Sequence, residues 1–256
     1  MKRLLMFMIC GSALAGCASS ENQIKEAVRK NPKIIFDAIE ENSEEFIEVV
    51  NRSAQKAQQK RYEKQMAELK TEQENDLKTP KQPQLSADRR LVGDDTGKIV
   101  VVEYADFQCP ACKMAYDSLK QFKEKHKGQI QFYYKNMPLD FHKMAFPSAL
   151  YFEAIRLQDK NKALKFYEYV FENQKLLTDE SFLKKAATVV GANLKKLEVD
   201  IKSDAVKKII EWDMSEFQQF GFTGTPVLII NGVALNGAQK LEELERVAQL
   251  TLEKSK

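Results

Sequence analysis

The residues best suited to chemistry in this chain are two cysteines three positions apart, in Cys109-Pro110-Ala111-Cys112. A thiolate is a strong nucleophile, and a second thiol within reach can attack a mixed disulfide formed on the first and release its partner. The elements on either side must position the pair. A β-branched run, Ile99-Val100-Val101-Val102, leads through Glu103 to Phe107, and Lys113 to Phe122 follow with helical periodicity. The pattern predicts strand, sharp turn, helix. Cys109 then stands at a helix start, where unpaired backbone N–H groups and the positive end of the macrodipole favour a thiolate. In Cys-X-X-Cys motifs the first pKa falls into the range of roughly 3.5–7.5. Cys112 lies one turn deeper on the same helical face, and Pro110 fits the first turn, where a missing N–H does little harm.

Two blander readings compete. A structural zinc site needs further ligands, but the two histidines, His126 and His142, are not spaced as an H-x3-5-H pair and no second CxxC exists. An inert cysteine pair is the other. Neither a metal nor a cofactor is expected.

The start of the chain reads as an export signal. Met1-Lys2-Arg3 is basic, Leu4 to Leu14 is mostly apolar but too short for a mature membrane span, and Leu14-Ala15-Gly16-Cys17 follows. These last four residues resemble the lipobox of bacterial lipoproteins, which implies cleavage after residue 16 and lipidation of Cys17. A plain secretory signal cut nearby is the alternative. By analogy with lipoprotein sorting in Gram-negative bacteria, the lack of Asp at position 18 favours the outer membrane. The expected place is the bacterial cell envelope, lipid-anchored and facing the periplasm, or the surface.

Of four cysteines, Cys10 leaves with the signal and Cys17 carries lipid, so Cys109 and Cys112 alone remain. In an oxidising compartment a single close pair suits chemistry better than stapling, which gains most from long loops. Loss of Lys2 and Arg3 takes the formal charge from +3 to +1, and nothing in that balance suggests nucleic acid.

Residues 17–78 read as a separate helical unit. Asn31-Pro32 and Asn42-Ser43-Glu44-Glu45 mark two helix starts, predicting a short helix, a break and a long one. Ile35, Ile39, Phe46, Val49 and Val50 form a stripe too thin for a core. Packing against a second copy through residues 22–78 is the economical solution, and an acidic block from Asp37 to Glu48 preceding a basic run from Arg52 to Lys64 provides opposite charges between chains. The alternative is a solvated stalk. Thr79-Pro80-Lys81-Gln82-Pro83-Gln84 opens a linker, 79–88, that cannot continue the helix.

Residues 89–256 are enough for one α/β domain. Gln129 to Lys135 is an aromatic-rich strand completing a βαβ unit. From about 142 to 220 the pattern is helical, with breaks that allow four or five helices. Val227 to Ile230, Asn231-Gly232 and Val233 to Leu235 signal a hairpin with a type I′ turn. A last amphipathic helix carries Leu241, Leu244, Val247, Ala248 and Leu252.

With these elements laid out, the chain resembles the DsbA-like branch of the thioredoxin superfamily over about 90–254. The resemblance is carried by Val102 to Cys112, by Asn136-Met137-Pro138-Leu139-Asp140-Phe141-His142, and by Gly221-Phe222-Thr223-Gly224-Thr225-Pro226-Val227. It implies a thioredoxin fold with a helical domain inserted at about 142–220, preceded here by the N-terminal helical segment. It also implies a cis Thr225–Pro226 bond lying against Cys109, with the Thr225 backbone free to pair with a substrate strand. Glu103 matches the acid that relatives bury beneath the second cysteine, where a raised pKa suits it to relay the Cys112 proton. Its parity with apolar Val101 and Ala105 points the same way, against an ordinary solvent-facing strand glutamate. His142 occurs where relatives often carry a histidine, and no role is assigned to it.

Two departures bear on direction. The intervening dipeptide is Pro-Ala, where the strongest oxidants of the family carry Pro-His, so Cys109 is expected to be less acidic and the couple less oxidising. Thr rather than Val precedes the cis proline, as in the oligomeric isomerases. The resemblance therefore implies an exported protein-disulfide oxidoreductase, isomerising or reducing disulfides of exported proteins with cysteines, with a membrane redox partner. Net oxidation is the alternative. A rival from another class is an anchored binding or assembly lipoprotein that uses the fold as scaffold, for which Cys109→Ser would be silent.

Overall fold

The computed structural model describes residues 18–254, so the expected signal at 1–16 and the lipidation site Cys17 lie outside the described residues. The chain divides into two compact units, Met1–Ala67 and Glu68–Lys256.

The first unit is helical. It holds α1 (Ala18–Lys30), α2 (Lys33–Glu41) and the first part of α3 (Ser43–Lys78). The breaks fall at the two expected places, Asn31-Pro32 and Asn42, although the sequence reading lacked the helix before Asn31. No residue of α2 is buried. Ile34, Ile35, Phe36, Phe46, Ile47, Val49 and Val50 are all exposed, so a row of large apolar groups stands in water with no core to enter.

The second unit is built on a five-stranded sheet: β1 (Arg90–Val92), β2 (Ile99–Ala105), β3 (Ile130–Asn136), β4 (Val227–Ile230) and β5 (Val233–Asn236). Their order is β1-β3-β2-β4-β5. β2 and β3 run parallel, joined through α4 (Pro110–Lys125), while β4 runs antiparallel to β2 and β5 antiparallel to β4. Between β3 and β4 the chain leaves the sheet for α5 (Ala145–Arg156), α6 (Lys160–Glu172), α7 (Glu180–Val189), α8 (Leu194–Asp200) and α9 (Asp204–Gln219). α10 (Leu241–Lys254) closes the unit and packs on α4 and β4. This is the thioredoxin arrangement with a helical insertion, as expected.

β2 is covered on both faces, which explains its unbroken apolar run. Val101 and Ala105 enter the larger core with the insertion, whose centre is aromatic: Phe107 lies 5.0 Å from Tyr134 and 5.2 Å from Phe171 between ring centroids. Val102 and Tyr104 enter a smaller core with Phe217, Val227 and Ile229.

β1 escaped the sequence reading because it is three residues long. Gly93 follows it closely: a Cβ there would fall 1.8 Å from the Ile130 carbonyl oxygen, so the strand can turn off β3 only where no side chain exists. The hairpin turn is as expected, with φ of 46° at Asn231 and 89° at Gly232.

Residues 79–88 follow α3 without continuing it. The expected linker is held to the second unit: Lys81 N–H donates to the Gly232 carbonyl at 2.9 Å and Gln84 N–H to Glu216 Oε1 at 2.6 Å. The last turns of α3 join it there, with buried Asp76 accepting from Ala234 N–H at 2.9 Å and from Lys81 Nζ at 2.9 Å. β5 is the end strand of the sheet, and these groups occupy polar backbone sites that an open edge would leave vacant. The prolines end α3, yet they do not free the chain that follows.

Candidate active site

Cys109 is the N-cap of α4 and Pro110 its first residue. Its N–H donates to the Asp106 carbonyl at 3.2 Å, and its own carbonyl receives Lys113 N–H at 3.2 Å, opening the helix. Both cysteines are free thiols. Cys109 retains 7% exposure and Cys112 none, so only the first sulfur is open to a partner.

The two thiols differ sharply in acidity. Cys109 is pulled down to about 5, chiefly by the hydrogen bond from Cys112 and further by the backbone N–H groups of Cys112 and Ala111 at the helix start. Cys112 is pushed far above the ordinary thiol value by burial, and a thiolate on Cys109 beside it adds to the effect. The first cysteine is therefore a thiolate at neutral pH and the second remains a thiol.

Thr225 and Pro226 come from the loop before β4. Their peptide bond is cis, and Cys109 Sγ lies 3.7 Å from the Thr225 carbonyl oxygen. Residues more than a hundred positions apart in sequence thus meet at one sulfur.

Glu103 lies in the middle of β2, wholly buried, opposite Tyr134 on one side and Leu228 on the other. Oε2 accepts from Tyr167 O–H at 2.6 Å, while Oε1 has no partner. Burial raises its pKa to about 7, against the smaller opposing effects of the Tyr167 bond and the charge on Lys123. The Lys123 amine is itself buried without a hydrogen-bond partner, above the rings of Phe132 and Tyr167 at 4.4 and 5.0 Å, and burial lowers its pKa. The structure thus brings Cys109, Cys112 and Thr225 together. It places Glu103 in the core behind them, with Tyr167 rather than Cys112 as its hydrogen-bond partner.

The sequence reading missed several polar groups around the pair. Gln174 Nε2 donates to the carbonyls of Phe107 at 3.0 Å and Cys109 at 2.8 Å. Gln108 donates to the Leu177 carbonyl at 3.3 Å and accepts Met144 N–H at 2.8 Å. The insertion therefore grips the redox loop by its backbone. No local pattern announces Gln174, because its partners lie across the fold. Lys123 carried a signal: Cys112, Tyr116, Leu119 and Lys123 follow one helical stripe whose other members are buried, and a lysine on such a stripe calls for a buried anion.

A thioredoxin family model matches residues 85–249. The chain belongs to the thioredoxin family. Among curated relatives, the probable disulfide bond formation protein D of Bacillus cereus is 32% identical over 158 residues, covering 58% of this chain and 72% of that protein. Among solved structures, the thiol-disulfide exchange protein α-DsbA2 from Wolbachia pipientis aligns with a TM-score of 0.56 at 23% identity, over 62% of this chain and 85% of that one. The catalytic domain of Proteus mirabilis ScsC aligns with a TM-score of 0.57 at 20% identity, over 66% and 91%. This thioredoxin-family chain is a thiol–disulfide oxidoreductase with a DsbA-like fold.

Proposed function

We propose that the protein is an exported, lipid-anchored thiol–disulfide oxidoreductase of the bacterial cell envelope that rearranges disulfides in other exported proteins. The observation that carries this reading is the asymmetry of the pair: an acidic, reachable Cys109 above a buried Cys112 held as a thiol. The Cys109 thiolate attacks one sulfur of a substrate disulfide. That S–S bond breaks, a Cys109–substrate disulfide forms, and the other substrate sulfur leaves as thiolate. In isomerisation a substrate thiolate attacks the mixed disulfide, regenerates the Cys109 thiolate and leaves no net electron transfer. In reduction Cys112 loses its proton and attacks Cys109 Sγ, the Cys109–substrate bond breaks with the second substrate sulfur leaving as thiolate, and the Cys109–Cys112 disulfide closes with two electrons passed to the substrate. Glu103 is the acceptor proposed for that proton, through a bridging water, since its value of about 7 allows it to take one up near neutrality. The carbonyl of Thr225 beside Cys109 aligns the substrate strand, with cis Pro226 shaping the loop.

A reduced form stabilised by an acidic first thiol favours isomerisation over net reduction, because the dithiol state must persist for Cys109 to attack. Net oxidation is the second reading. It is favoured by the same stabilised thiolate and by the disulfide-forming name of the Bacillus relative. It needs a membrane redox partner to restore the disulfide.

Residues 22–78 are proposed as the association segment of a homo-oligomer, joined through the exposed apolar row on α2 and α3. Cys17 is the proposed lipid anchor. The test compares the mature chain without lipid and a version starting at Glu68, which keeps the cover of β5, on a scrambled multi-disulfide substrate and on a reduced one. Isomerase action through an oligomer predicts rescue by the full mature chain alone. Oxidation of the reduced substrate by both, with rescue by neither, would reject isomerisation in favour of the second reading.

A further inference from the structure

His142 belongs to the family-like motifs, and the exchange chemistry assigns it no role. It follows Phe141, which is 76% exposed and packs edge-on against the imidazole at 4.5 Å between centroids. The imidazole itself turns inward. Its Nδ1 lies 2.7 Å from Oδ2 of Asp106, whose side chain is completely buried. A carboxylate offers only acceptors, so Nδ1 carries the hydrogen and His142 donates. The same oxygen accepts Leu139 N–H at 3.0 Å, and Oδ1 accepts Gln108 N–H at 2.7 Å.

The backbone of Asp106 holds both cysteines. Its carbonyl accepts Cys109 N–H at 3.2 Å, and its N–H points at Cys112 Sγ at 3.4 Å. One residue thus ties the two sulfur-bearing positions to the segment 139–142, and His142 supplies the side-chain half of that tie. A carboxylate free to rotate would release Leu139 and Gln108, and with them the orientation of the peptide groups facing the thiols.

We propose that His142 and Asp106 form a positioning pair that holds the turn 106–109 so that its peptide groups stay aimed at Cys109 and Cys112. The proposal rests on the reading of these cysteines as the exchange pair. His142 touches neither sulfur in this structure; it acts through Asp106, and the Nδ1–H donor rather than its charge carries the effect. Asparagine can place an amide N–H where Nδ1 stands and cannot be protonated, whereas leucine fills the space without a donor.

The test uses the mature chain without lipid as wild type, His142→Asn, His142→Leu and His142→Ala. Two quantities are read on the reduced protein: the midpoint of thiolate absorbance at 240 nm against pH, and the equilibrium of dithiol plus oxidised glutathione with protein disulfide plus two reduced glutathione. Loss of the tie destabilises the reduced pair. His142→Leu and His142→Ala are then expected to raise the thiolate midpoint by about one pH unit. They should shift the glutathione equilibrium toward protein disulfide about tenfold, which is about 30 mV for a two-electron couple. His142→Asn should stay within threefold of wild type. His142→Ala keeps the comparison open if the leucine variant does not fold. The proposal is overturned if the donorless variants match wild type, or if asparagine shifts both quantities as far as they do. A wild-type protein with no thiolate step near pH 5 and no exchange with glutathione would instead remove the exchange-pair reading itself.

Discussion

Replacing Glu103 by Gln tests the buried acid through folding rather than turnover. The group is wholly buried, one carboxylate oxygen has no partner, and burial raises its pKa from the ordinary 4.5 to about 7. A raised value means that the neutral acid is the form that fits the core. Its contribution to stability is fully present below pH 4.5 and is lost as pH rises through 7. At 1.36 kcal/mol per pH unit, the separation of about 2.5 is worth at most about 3 kcal/mol. Lys123 loses its counter-charge in the variant, which makes that figure a ceiling. Glutamine keeps an acceptor for Tyr167 O–H and never ionises. Guanidinium chloride unfolding of the reduced proteins at pH 4.5 and pH 8 should therefore show Glu103→Gln gaining stability relative to wild type as pH rises, by about 1–3 kcal/mol across that interval. Parallel stability profiles for the two proteins would refute a raised pKa at this position.

Three further outcomes are expected. The thiolate absorbance of the reduced wild-type protein should titrate with a midpoint near 5, and iodoacetamide should modify Cys109 at neutral pH while Cys112 reacts only after unfolding. Gln174→Ala frees the Phe107 and Cys109 carbonyls and should cost about 1–3 kcal/mol of stability, read by denaturant midpoint, together with slower exchange at the loop. Arg89 donates to Asp213 at 2.6 and 2.7 Å and to Glu153 at 3.2 Å, and both carboxylates are fully buried; Arg89→Met leaves them without that cation and should destabilise the protein by about 3–5 kcal/mol, an outcome that an unchanged thermal midpoint would contradict.

Much of the site was legible because its signals are local. A CxxC at a strand-to-helix junction announces an activated thiol, since the helix start that stabilises it is built by the residues immediately following. The Asn-Gly hairpin, the helical insertion and the closing α10 were legible for the same reason: turn chemistry and periodicity act within a few residues. The burial of Glu103 was expected from its parity with Val101 and Ala105, although β2 turned out to be covered on both faces, so either parity would have buried it. The contacts of 79–88 were not legible because prolines report where a helix ends and carry no information about the partners the next peptide groups will find.

The chain's own sequence determined which cysteine caps a helix start, where the Asn-Gly hairpin turns and where most of the helices run. Only the tertiary structure decided what surrounds the sulfurs: Thr225 reaching Cys109 from beyond the insertion, Gln174 gripping the loop from its other side, and His142 meeting Asp106 across 36 positions. The physical reason is one of range. Backbone hydrogen bonding and side-chain periodicity are fixed by near neighbours, whereas burial, desolvation and the pairing of polar groups depend on which distant segments the core draws together.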